Sequence, residues 1–202
     1  MMSSAPAEIL HPASRTLFRH WESVRGERGA ALREHINLGE VRHLLPWMYI
    51  SEPDAVSGEH RLRLAGTGIC RMWQDNLTGK FLFSTWNKFE RRTIGELLRG
   101  TTENCQPFAM RVRAKTATGS LTSLEILGLP VQARDSDPHQ VMGIIVPFHQ
   151  PAWLGRDRLI SFELSSVRVV WTDQVPAACG NHQRPSGRSK PALEVIKGGK
   201  TG

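Results

Sequence analysis

The chain has 202 residues, 40% of them hydrophobic, which suffices for one well-buried core with extensions and falls short of two domains of ordinary size. A formal charge of +7 and a pI near 9.9 raise the question of an anionic partner, yet much of the excess sits in the last residues, where Arg184, Arg188, Lys190, Lys197 and Lys200 face only Glu194. The N-terminus lacks the basic and apolar regions of a secretory leader, no apolar run approaches the roughly 20 residues of a bilayer span, and three scattered cysteines (Cys70, Cys105, Cys179) offer no disulfide framework, so a cytoplasmic setting is expected.

The first periodic segment is residues 14–25, where Leu17, Phe18, Trp21 and Val24 share one helical face, Ser14 is a reasonable N-cap and Gly26 or Gly29 a stop. This apolar stripe docks either on its own domain or on a second copy of itself, which makes the four residues candidate dimerisation contacts. Trp47-Met48-Tyr49-Ile50 reads as a short strand. After turn residues at 51–58, Arg61-Leu62-Arg63-Leu64 alternates, with both leucines expected inward, and completes a hairpin.

Gly66-Thr67-Gly68 follows this strand and invites comparison with a dinucleotide-binding loop. That fingerprint needs a third glycine where Arg71 stands, so the two glycines read as a turn requirement. From Cys70 to Trp86 the apolar spacing loosens around Asp75-Asn76 and Gly79, which suits several short helical turns. Residues 88–99 form a better helix, with Phe89, Ile94, Leu97 and Leu98 on a broad face and Arg99-Gly100 as its stop.

Three strands come next. Residues 108–113 alternate, with Arg111, Arg113 and Lys115 outward, and Ala117-Thr118-Gly119 turns the chain. In 121–132 the apolar phase slips between Ile126 and Leu127, which calls for a bulge or for burial on both faces. Arg134-Asp135-Ser136-Asp137-Pro138 then leads into the apolar run from Val141 to Phe148. Residues 157–171 add an extended segment with a break near Ser165-Ser166, suited to an edge strand or to a partner subunit.

The order strand, strand, short helices, helix, strand, strand, strand resembles the PAS sensory fold. More narrowly, Arg63-Leu64-Ala65-Gly66-Thr67, Cys70-Arg71 and Leu77-Thr78-Gly79, with the leading helix and its Trp21 and with Leu44-Leu45-Pro46, resemble the alphaproteobacterial PAS_5 family over roughly residues 14–150. The resemblance implies an α+β fold, a five-stranded antiparallel sheet with short helices on one face and a helix before it. The implied organisation is a flexible stretch 1–13, an N-terminal helix over 14–35, the PAS-like domain over 36–150, an extended extension over 151–175 and a basic disordered tail over 176–202.

The same resemblance implies a cytoplasmic sensory or regulatory protein, expected to be a homodimer that binds a small ligand or a partner protein and signals by contact, with no output domain of its own. Candidate ligand-lining residues are Trp73, Leu82, Trp86, Phe89, Leu97, Phe108, Ile126 and Val146, which a plain core needs as well, and Arg71, whose guanidinium suits a carboxylate or phosphate and whose alternative is a surface or intramolecular ion pair. Haem is disfavoured because 88–103 has no histidine for an axial ligand, and flavin photochemistry because Cys70-Arg71-Met72 lacks the Asn-Cys-Arg-Phe pattern. No cofactor and no metal are expected.

Enzymatic readings find no support in G-x-S-x-G or H-E-x-x-H motifs, and Cys179 with His182 lacks a second ligand pair for zinc. The alternative reading is a nucleic-acid-associated protein acting through the basic tail and the Arg111-Arg113-Lys115 strip, whose binding would weaken steeply with salt.

Overall fold

In the computed structural model of the protein, which describes residues 5–81, 83, 86–134 and 139–170, the chain begins with helix α1 (Pro12–Arg25) and strand β1 (Ala31–Leu32). Two 3-10 segments (Arg33–His35 and Arg42–Trp47) lead to β2 (Met48–Pro53), β3 (His60–Ala65) and the short helix α2 (Thr67–Trp73). Then come the long helix α3 (Lys88–Asn104) and strands β4 (Phe108–Thr116), β5 (Leu121–Gln132), β6 (Gln140–Pro147) and β7 (Leu159–Val169).

Side-chain alternation in the strands sorts these elements into layers. Along β5, Leu124 and Ile126 join one core while Leu127, Leu129 and Val131 join another, with no register shift against β4 or β6. The phase slip is therefore a strand buried on both faces. The strand order is β3-β2-β6-β5-β4-β7, antiparallel throughout, with β1 adding a short parallel pairing to β5. Its first five strands are the expected sheet; β7 extends it by an edge strand along β4.

Helix α1 covers β5 and β6 on one face. Leu17, Phe18 and Trp21 are buried there, Trp21 at 1% exposure, and the Trp21 indole donates to the Pro130 carbonyl at 2.9 Å. This corrects the assignment of Leu17, Phe18, Trp21 and Val24 to dimerisation: the stripe is consumed by the chain's own sheet, with Val24 packed at its margin. Trp21→Phe keeps an aromatic there and strands the carbonyl, so a loss of about 2 kcal/mol is expected, read as a lower urea midpoint.

The helix starts earlier than expected. His11 is its N-cap, its Nδ1 accepting from the Ala13 amide, Pro12 occupies the first turn, and Ser14 is buried inside the helix instead. It ends at Arg25, where Gly26 takes φ 59°.

Leu62 and Leu64 do not share a face. Ile50 pairs with Leu64 and Ser51 with Leu62, so Arg63 is an extra residue in β3 and the phase reverses across it. Leu62 enters the helical core, whereas Leu64 stays 45% exposed beside an apolar groove with Leu38, Leu45, Met48 and Ile50. A second bulge leaves Ser165 unmatched between Leu164 and Ser166 on β7, where the sequence placed its break.

Gly66 and Gly68 have the structural role assigned to them. A Cβ at Gly66 would lie 2.3 Å from the Pro46 carbonyl oxygen, and one at Gly68 2.9 Å from the same atom, so their absence lets α2 start hard against the 42–47 segment. Gly79 has φ 83°, as a turn there requires.

α3 runs through Gly100 to Asn104, past its expected stop, and closes on Cys105 at φ 51°. Cys105 is disulfide-bonded, where the three scattered cysteines led to the expectation of no disulfide framework. No helix among the described residues is long and apolar enough to cross a membrane.

Two buried glutamates fasten the outlying segments. Glu125 on β5 accepts from the Leu10 and His11 amides at 2.9 and 2.8 Å. Glu90 accepts from the Leu164 amide at 2.7 Å through one oxygen and from the Asn87 side chain through the other, while Asn87 caps α3 by accepting from the Glu90 amide.

Candidate ligand-binding site

The helical face of the sheet is closed by an aromatic stack. Phe162 of β7 stacks on two tryptophans, its ring centroid 5.0 Å from Trp73 and 5.6 Å from Trp86, with interplanar angles of 9° and 13°. Phe83 meets Trp86 edge-on at 5.5 Å. Phe108 and Ile126 complete this core, with Leu97 packed against it, so five of the nine sequence candidates (Trp73, Trp86, Leu97, Phe108, Ile126) share one environment.

The others fall elsewhere. Val146 belongs to the opposite core under α1, because β6 directs Ile145 to the helices and Val146 away from them. Phe89 is 80% exposed, since the first turn of α3 turns it to solvent. Arg71 is exposed and its stem lies against Gly155, where an added Cβ would meet its Cγ and Cδ at 2.7 Å. These three are corrections to the ligand-lining set. Leu82 lies outside the described residues.

The concavity next to this core is a cleft of about 400 Å³ between α3 and the β2–β3 turn. Ser57, Gly58, Glu59 and His60 form one wall, Phe81 and Phe83 another, and Arg91, Arg92, Gly95, Glu96, Leu98 and Arg99 the α3 side. None of these was singled out from the sequence as a ligand contact. The signal available was the pair Arg91-Arg92 followed one and two turns later by Gly95 and Arg99, a helix-interior glycine flanked by cations.

The electrostatics of the cleft are largely pre-arranged. Arg91 pairs with Glu59, and Arg92 Nε donates to Glu96 at 3.2 Å. The Arg61 guanidinium stacks on Phe81 at 4.7 Å from the ring centroid. His60 lines the cleft and is buried, its Nδ1 3.2 Å from the buried Ser51 hydroxyl, and desolvation pushes its pKa down to about 4.

The sign of the resulting pH dependence follows. Between about 4 and 6.5 the unfolded chain binds a proton at this histidine that the folded chain refuses, so stability is full above 6.5 and falls on acidification. From the shift of the pKa to about 4, the loss across that window is about 3 kcal/mol. His11, lowered chiefly by desolvation against an opposing pull from Glu125, acts in the same direction. Urea titrations at pH 7 and 4.5 are expected to differ accordingly, and His60→Gln to flatten the slope; an unchanged slope would refute the assignment.

The profile of the PAS_5 family, described as a PAS domain, matches residues 9–146, more than half of the chain. The chain belongs to the PAS_5 family of PAS domains. Among solved structures, a LOV protein of Rhodobacter sphaeroides is similar over 52% of this chain and 61% of that one, at 14% identity and a TM-score of 0.41. A substituted form of RsLOV is similar over 55% and 67%, at 16% identity and a TM-score of 0.40. The PAS chain thus spans less than two thirds of the first of these. No curated protein matches it.

The PAS_5 match makes this a sensory-type domain and leaves its charged surfaces to be judged on their contacts. On the β4 strip, Arg113 pairs with Glu163 at 3.3 Å and Arg111 stacks over Phe148 at 4.7 Å. The basic tail lies outside the described residues.

Proposed function

We propose that this PAS domain is a regulatory module that holds a small, colourless ligand in the cleft between α3 and the β2–β3 turn and signals by protein contact, without catalysis. The observation that carries the reading is an open cleft of about 400 Å³ in a sensory-family fold, a volume within the usual range of small-molecule sites. The lack of a histidine in α3 argues against haem, and the lack of Asn-Cys-Arg-Phe against flavin photochemistry.

A route outward is available in the packing. Phe83 lines the cleft, touches Trp86 edge-on, and Trp86 stacks on Phe162, so a ligand that shifts Phe83 bears on β7 through two ring contacts. Contact with a partner is assigned to the other face, where Leu38, Leu45 and Leu64 are exposed around the apolar groove. A second copy of the chain is its proposed occupant, in place of the α1 stripe.

Native mass spectrometry of freshly purified protein against its denatured mass tests both halves. A dimer carrying extra mass supports the reading, and Leu64→Asp is expected to yield monomer with the extra mass retained. A bare monomer that stays bare after incubation with cell metabolites refutes it.

A further inference from the structure

We infer that the cleft is built for an organic monocarboxylate with an apolar body, an inference that rests on the cleft being a ligand site and names the class it selects. Arg92, Gly95 and Arg99 stand at i, i+3 and i+7, hence on one stripe of α3. A Cβ at Gly95 would meet nothing within 4 Å, so the stripe has a notch between two cationic positions, at the cost of a glycine in a helix interior. No atom of the described residues fills the notch, which leaves room there for a ligand.

The charges set the class. The cleft is lined by three arginines and two glutamates. Glu59 is met by Arg91 and Glu96 by Arg92, whereas the Arg99 side chain has no ion pair or hydrogen bond among the described residues. One positive charge is left over. His60 adds none near neutral pH, being held uncharged by its burial. A guanidinium receives a carboxylate through two parallel hydrogen bonds, and the surplus of one matches a monoanion better than a dianion. Phe81, Phe83 and Leu98 supply the apolar wall for the rest of the molecule.

The test is an amide chemical-shift titration of the full chain with benzoate, phenyl phosphate, benzyl alcohol and benzylammonium, one ring with four head groups. Benzoate is expected to shift the Gly95 and Arg99 amides most and to bind about tenfold tighter than benzyl alcohol, a preference that fades as salt rises. Arg99→Gln should erase that tenfold preference and leave benzyl alcohol binding unchanged. Gly95→Leu, which fills the notch and suits a helix better than glycine, should weaken every probe.

Equal binding of benzoate and benzyl alcohol, both blocked by Gly95→Leu, would overturn the carboxylate class while the cleft remains a ligand site. Tighter binding of phenyl phosphate would overturn the monoanion. Failure of all four probes to move cleft amides would overturn the inference and the ligand cleft together.

Discussion

Gly143→Ala is expected to lower the unfolding free energy by about 3 kcal/mol, a fall in melting temperature of about 6–12 °C for a chain of this size. The position lies in a row that crosses the sheet, with Tyr49 of β2 opposite Gly143 of β6, Gly143 opposite Gly128 of β5, and Gly128 opposite Phe108 of β4. Both rings lie over the glycines beside them. A Cβ at Gly143 would come 1.9 Å from the Leu127 carbonyl oxygen and 2.6 Å from Cε1 of Tyr49. Backbone in the middle of a paired strand cannot step aside, and the Tyr49 hydroxyl is itself tied to the Leu127 carbonyl at 3.2 Å. At Gly128 the nearest atoms are those of the Phe108 side chain rather than backbone, so Gly128→Ala should cost less. Thermal melts of the two variants settle the ranking, and a wild-type melting temperature for Gly143→Ala would refute the packing argument.

Phe162→Ala is expected to cost about 4 kcal/mol. The buried ring stacks on two indoles, and its loss removes both stacking contacts and leaves a cavity in the helical core. The matched control is Ile160→Ala on the same strand, 49% exposed and unmatched in the β4 ladder, which should stay within about 0.5 kcal/mol of the parent. Urea denaturation gives the two values. Tryptophan emission should change for Phe162→Ala in the folded state and not for the control. Equal effects would mean that β7 is a passive edge strand with no special tie to the helical core.

The fold was legible where burial is one-sided or two-sided along a whole element. Period-two alternation located β4, a continuous apolar run located β6, and the strand-helix order was enough to recognise the family. Legibility failed where one inserted residue or one tertiary contact decides. Nothing local in Arg61-Leu62-Arg63-Leu64 announces a bulge at Arg63; it is set by pairing with β2. Gly100 reads as a helix stop, yet α3 continues past it. The aromatic residues at 73, 86 and 108 were found because large rings are buried in most small domains, and Phe89 was misplaced by the same rule. The cleft residues were missed because charged side chains on a helix ordinarily face water, and only the opposite wall turns Arg91, Arg92 and Arg99 into a lining.

The two buried carboxylates have a mechanical meaning. Glu125 ties the chain just before α1 to β5, and Glu90 ties β7, already laddered along β4, to α3, so each outlying segment has one link to an acidic side chain set in the middle of the sequence. The two latches are unlike: one sits on the central sheet, the other on the first turn of the helix that lines the cleft. A tilt of α3 would therefore bear on β7 through Glu90 and would leave untouched the segment before α1, which Glu125 ties to the sheet.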